Sequence, residues 1–238
     1  LIDISSTRDK KRLKGRIKYA FLRSFLPVQV ARVILGRSSN LFFQVEQCGY
    51  RSLRGTVKLG GGKLSILGSY NPIEEVKFNF DLNFLSRKLI LSDFFVRFFK
   101  GNICSSRALI DLRSNYEISF IHFPLQINDM FVNFKKDFYG IVYGNLLLIG
   151  RGGDCFSKKV DDFPFKVFGD LILKRSLFKK STFSKRDDEN FFVDVESAIS
   201  RDRAVEFDID LYNERPLKVK TTFIHADINL DLNLSSLY

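Results

Sequence analysis

Val76-Lys77-Phe78-Asn79-Phe80-Asp81-Leu82-Asn83-Phe84 is the stretch whose reading decides how this chain folds. Apolar and polar residues alternate through it without a slip. Successive side chains of a strand point to opposite faces, so the pattern predicts a strand with one oily face and one wet face. The C-terminal stretch repeats it. There Thr222, Ile224, Ala226, Ile228, Leu230, Leu232 and Leu234 interleave with Phe223, His225, Asp227, Asn229, Asp231 and Asn233. Between the two, Val205, Phe207, Ile209 and Leu211 alternate with Glu206, Asp208 and Asp210.

Strand signals fill the rest of the chain from Leu41 onward. Segments 41–47, 55–59, 63–69, 75–85, 88–99, 108–113, 116–127, 131–135, 140–149, 165–174, 191–199, 204–212 and 217–234 read as strands. Turn residues separate them: Gly60-Gly61-Gly62, Asn71-Pro72, Gly101-Asn102, Asn128-Asp129, Gly152-Gly153 and Asn213-Glu214-Arg215-Pro216. Gly and Asn tolerate positive φ and Pro fixes φ, which is why these positions are expected to break strands. No segment after residue 40 reads as a crossover helix. The fold class expected is mostly β, with 41–238 as one β-rich domain. The 238 residues include 26 Phe and no Trp, enough apolar material for an ordered chain. No run reaches the length of a membrane-spanning helix. The chain starts at Leu1, which reads as a piece of a longer polypeptide with any targeting segment upstream.

The net charge of +11 is concentrated at one end. Residues 1–40 carry ten Lys or Arg against Asp3 and Asp9, a net +8. Leu13, Ile17, Phe21 and Phe25 recur every four positions, so 9–26 is expected to form an amphipathic helix ending at Pro27. This basic segment suits phosphates, of an anionic membrane surface or of nucleic acid. The aromatic-basic motif of an RNA-binding sheet is missing, so nucleic acid is not the expected partner.

Catalytic chemistry finds no foothold in the sequence. His122 and His225 sit inside strand patterns, far from each other and from any cysteine at ligand spacing. Asp208 with Asp210, and Asp227 with Asp231, fall on alternate positions and read as the solvated side of a sheet rather than an acid pair. Gly60-Gly61-Gly62-Lys63 lacks the spacing of a phosphate loop. Cys48, Cys104 and Cys155 form no CxxC pair and read as buried free thiols, with room for one disulfide. No cofactor and no metal is expected.

An internal echo links two strands: Tyr143-Gly144-Asn145-Leu146-Leu147-Leu148 returns as Phe168-Gly169-Asp170-Leu171-Ile172-Leu173. It reads as a repeated rung of an extended sheet. The phrase Gly144-Asn145-Leu146-Leu147-Leu148-Ile149-Gly150, followed by Pro164-Phe165-Lys166-Val167-Phe168-Gly169-Asp170-Leu171, resembles the C-terminal domain of TamB-like proteins, of the AsmA-like group. The alternating segments Val205–Leu211 and Leu217–Leu234 extend that resemblance, while the basic N-terminal segment lies outside it.

The resemblance implies a long U-shaped, taco-like sheet with an apolar groove. It implies a non-enzymatic bacterial envelope protein in the periplasm, anchored to the inner membrane by a helix outside this segment. Two roles follow from it: phospholipid transport between the membranes, and translocation and assembly of outer-membrane proteins. The partners implied are phospholipid acyl chains and an outer-membrane Omp85-type protein (TamA-like or BamA-like). On this reading the groove is lined by Val76, Phe78, Phe80, Leu82 and Phe84. Val205, Phe207, Ile209 and Leu211 continue it, with Ile224, Ala226, Ile228, Leu230, Leu232 and Leu234. A transmembrane β-barrel and a β-sandwich binding module are the alternatives, since both also use alternating strands.

Overall fold

A computed structural model describes residues 2–7, 10–18, 40–48, 50–66, 69–98, 100–114, 118–134, 138–151, 165–179, 205–221 and 224–235. Among these residues the chain forms strands, turns and bends, and no helix. It divides into two compact units, Leu1–Pro124 and Leu125–Tyr238, with the boundary inside one strand. Strands before residue 40 pair with strands after it, β2 with β3.

The first unit contains β1 (Ile2–Thr7), β2 (Lys10–Lys18), β3 (Asn40–Cys48), β4 (Ser52–Ile66), β5 (Ser69–Asn83), β6 (Lys88–Phe98), β7 (Gly101–Leu112) and the first part of β8 (Ile118–Phe134). Each strand neighbours the next one in sequence, and the pairs from β1 to β7 are antiparallel. Register carries the alternation of β5 across the sheet. Phe78 stands opposite Val57, which stands opposite Phe43; Leu82 stands opposite Leu53 and Leu89. One-residue slips would move every side chain to the wrong face, so the apolar pattern itself holds this register.

The second unit holds the rest of β8, then β9 (Phe138–Arg151), β10 (Phe165–Lys179), β11 (Val205–Asn213), β12 (Leu217–Lys220), β13 (His225–Ile228) and β14 (Asp231–Ser235). Its order is β8-β9-β10-β11-β14, with β12 beside β10 and β13 beside β12. Here β10 pairs parallel to both β11 and β12. The echoed phrases lie against each other in β9 and β10: Asn145 faces Asp170, Gly144 faces Leu171 and Leu146 faces Gly169. They are two halves of one antiparallel pair, each glycine under the other copy's leucine. Both glycines have positive φ (156° and 143°), and a Cβ at either would strike the carbonyl oxygen of Asp170 or Asn145. Only glycine fits that close approach.

Several sequence readings are corrected, among them the turn expected at Asn71-Pro72, which lies inside β5. Lys10–Lys18 is a strand, not the first half of a helix. A spacing of four is even, so Leu13 and Ile17 share a strand face as well as a helix face, and Gly15 between them disfavours the helix. Residues 19–26 of that expected helix lie outside the described residues, as do the expected strand at 191–199 and Cys155. Gly60-Gly61-Gly62 is not a turn: β4 runs through it in unbroken register, with Gly61 at φ 70° between the pairs Gly60–Glu75 and Gly62–Ile73. Asn128-Asp129 likewise lies inside β8, with Asp129 at φ 46°. A positive φ at one residue therefore does not by itself end a strand.

The expected single strand over 217–234 is three strands. The break is made by Asn213 at the end of β11. Its side-chain Nδ2 donates to the Ile228 carbonyl (2.9 Å), and its Oδ1 accepts from the Leu230 N–H (3.0 Å). One side-chain amide thus takes the place of a strand neighbour and turns the chain from β12 to β11. Replacing Asn213 by Ala leaves both backbone groups without this partner. We expect a loss of about 1–2 kcal/mol in urea unfolding, with faster hydrogen exchange at the Leu230 amide.

Candidate functional surface

The first unit presents one apolar face. Val76, Phe78, Phe80 and Leu82 project from β5 onto it, as expected, joined by Phe43 and Val45 of β3, Leu53 and Val57 of β4, and Leu89 and Leu91 of β6. These neighbours were not singled out in the sequence, because pairing register is a property of two strands and alternation only of one. Phe84 follows the last residue of β5. It lies in the turn after that strand, where its N–H donates to the Arg51 carbonyl (2.9 Å). Asn83 sets the turn, its side-chain oxygen accepting from the amides of Leu85 and Ser86.

Aromatic rings dominate the centre of the face. Phe94 of β6 packs tilted against Phe78 (6.5 Å between centroids) and edge-on against Phe123 of β8 (4.9 Å). The Phe80 ring lies over Gly55, whose missing side chain leaves room for it: a Cβ there would sit 2.7 Å from the ring. An aromatic folded over a glycine covers backbone that would otherwise be bare.

This face is not an interior. Among the described residues of the first unit the buried hydrophobic side chains are Phe98, Ala108 and Ile121, while Phe78, Phe80, Leu82, Leu89 and Leu91 keep part of their surface open. Each strand contacts its sheet neighbours, and no second layer covers the face among the described residues.

The opposite face of β4 and β5 is polar and paired. Arg54 bonds Asp81 (2.7 Å), Lys58 bonds Glu75 (2.7 Å), and Thr56 donates to Asn79, which donates to Asp93. The Lys58 hydrogen bond holds the Glu75 carboxyl below its ordinary range. Such exposed pairs fix which side faces water more than they add stability.

In the second unit, Phe207, Ile209 and Leu211 follow one face of β11 and meet Val167, Gly169 and Leu171 of β10. Val205 opposes Phe165 in the same register. Ile209 and Leu211 also meet Leu234 and Leu232 of β14. The remaining predicted residues part from this line. Ala226 and Ile228 pair with Val219 and Leu217 of β12, Ile224 stands in the bend before β13 at 57% exposed, and Leu230 sits in the link held by Asn213. The alternation of 222–234 is real, but the structure distributes it over two different strand pairs.

The other candidate groups are dispersed. His122 and His225 are exposed, and Cys48 and Cys104 are free thiols, half-exposed rather than buried. Asp208 and Asp210 share a face with Asn233, whose side chain donates to both carboxylates (2.9 and 2.8 Å). Among the described residues no cluster of His, Cys, Asp and Glu has the arrangement of a metal site. Among the described residues no helix is long and apolar enough to cross a membrane. No protein-family model, no curated protein and no solved structure matches the chain.

Proposed function

We propose that this chain is a TamB-like, non-catalytic envelope protein whose apolar sheet faces carry phospholipid acyl chains between the inner and outer membranes. The observation that supports the reading is the Phe-rich face of the first unit, left without a covering layer among the described residues. Each acyl CH₂ kept from water is worth about 0.8 kcal/mol, so a two-chain lipid crossing an aqueous space gains far more from such a face than any one contact supplies. Apolar contact is also non-directional, which lets a chain slide along the strands. In this proposal the apolar face of each unit lines a trough, through Val76, Phe78, Phe80 and Leu82 in the first and Phe207, Ile209 and Leu211 in the second. The trough lies in the periplasm, is tethered to the inner membrane by a helix outside this segment, and meets an Omp85-type partner at the outer membrane.

Photo-crosslinking tests the reading face by face. A benzophenone amino acid at Phe78, Leu82 or Ile209 is expected to capture phospholipid in cells, whereas the same group at Asn79 or Asp210 captures none. Polypeptide adducts at the apolar positions, with no lipid, would replace the lipid cargo by unfolded outer-membrane proteins. Equal lipid labelling from both faces would remove the proposal.

A further inference from the structure

We infer that the polar face of β2 is a docking surface for an anionic membrane. The expected helix would have spread the N-terminal cations around a cylinder. The strand lines them up instead. Arg12, Lys14 and Arg16 occupy alternate positions of β2 and are all exposed, about 7 Å apart along the strand. Lys10 and Lys18 hold the register positions at either end of the row. Opposite Lys14 and Arg16 on β3 stand the neutral Gln44 and Phe42; the acid on that strand is Glu46, 3.8 Å from Arg12.

The contrast with the neighbouring strands is what makes the row a patch. On the same face Arg54 and Lys58 are neutralised at 2.7 Å by Asp81 and Glu75. With Lys10 and Lys18 at its ends, the β2 row sets five cations against two acids, Glu46 of β3 and Asp3 of β1, the latter opposite Lys14; among the described residues only β1 lies beyond it in the sheet.

The ring beside the row decides which polyanion it fits. Phe42 is 43% exposed on the same face, with the Arg16 guanidinium 5.0 Å above its centroid and hydrogen-bonded to Asn40. At a bilayer interface the ring enters below the headgroups while the cations hold lipid phosphates. Sheets that bind single-stranded nucleic acid present several stacking rings on the charged face. Among the described residues of β2, β3 and β4, Phe42 is the aromatic on that face. This inference does not rest on acyl-chain transport, since it uses the opposite side of the sheet.

Co-sedimentation of the full chain with phosphatidylcholine vesicles, with and without phosphatidylglycerol, tests it. Binding is expected only with the anionic lipid. It should collapse as salt shortens the screening length from about 10 Å at 0.1 M to about 3 Å at 1 M. The triple variant Arg12→Gln, Lys14→Gln, Arg16→Gln should bind about a hundredfold more weakly, at roughly fivefold per cation. Arg12→Lys with Arg16→Lys should keep most of the binding. Arg54→Gln, Lys58→Gln, Lys77→Gln removes the same charge from paired strands and should cost far less. Equal loss in both triple variants would mean that net charge, not the row, is recognised. Equal binding to neutral vesicles would overturn the proposal, as would tighter capture of a single-stranded oligonucleotide that the β2 triple variant abolishes. Lipid adducts at Phe78 would survive either outcome, so failure here leaves the transport reading separately testable.

Discussion

Gly169→Ala is expected to destabilise the second unit by about 3 kcal/mol, the upper end of the range for a forced backbone conformation. Two effects act together. The residue has φ near 143°, and its added Cβ would meet the Asn145 carbonyl oxygen of the adjoining strand. Gly144→Ala should behave alike, because Gly144 makes the mirror contact with Asp170 across the same pair. Gly60→Ala provides the control. Nothing lies within 4 Å of a Cβ there, so its unfolding midpoint should hardly move. Urea melts of the three variants decide the matter, and a Gly169→Ala protein as stable as Gly60→Ala would show that β9 and β10 pair more loosely than described.

Phe80→Asp is the second large effect, and it falls on binding. The substitution removes the ring that covers Gly55 and sets an unpaired carboxylate between Phe78 and Leu82. Because Phe80 is half-exposed, the stability lost should be modest, about 1–2 kcal/mol, and the sheet should still form. Phospholipid adducts at Phe78 should disappear, since a charge in the middle of an oily track repels the chain lying on it. Asp81→Asn, one residue along but on the polar face, should leave the adducts intact. Persisting adducts in a folded Phe80→Asp protein would show that the lipid travels elsewhere.

How legible these features were depended on the range of the interaction. The strict alternation in β5 announced both its conformation and its oily side, because each follows from residues adjacent in sequence. At the strand's end the Asn83 side chain captures two amides and turns the chain, a stop that alternation does not announce. The basic segment misled because the spacing of Leu13 and Ile17 fits two periodicities, and the choice was made by Leu41–Gln47 pairing alongside. Glycine-rich and Asn-Asp steps looked like strand ends but lie inside β4 and β8, since a positive φ does not by itself end a strand. The break in the C-terminal alternation was unreadable. It depends on Asn213, whose partners lie 15 and 17 residues further on. The unsatisfied Ser105 hydroxyl, buried in β7 opposite Phe94, has no counterpart signal at all in the sequence.

The pairing of nearly every strand with its immediate predecessor also governs how such a chain comes to be folded. Local hairpins close quickly, with little loop entropy to overcome, so each rung can lock on as soon as the one before it is in place. A polypeptide emerging from one end could therefore assemble vectorially, without waiting for its far terminus. Damage stays local by the same logic, as in other quasi-one-dimensional arrays. The parallel meetings of β10 with β11 and β12 are exceptions: 25 intervening residues, 180–204, must be emitted before the first of them can form. That junction is where maturation of the second unit should pause.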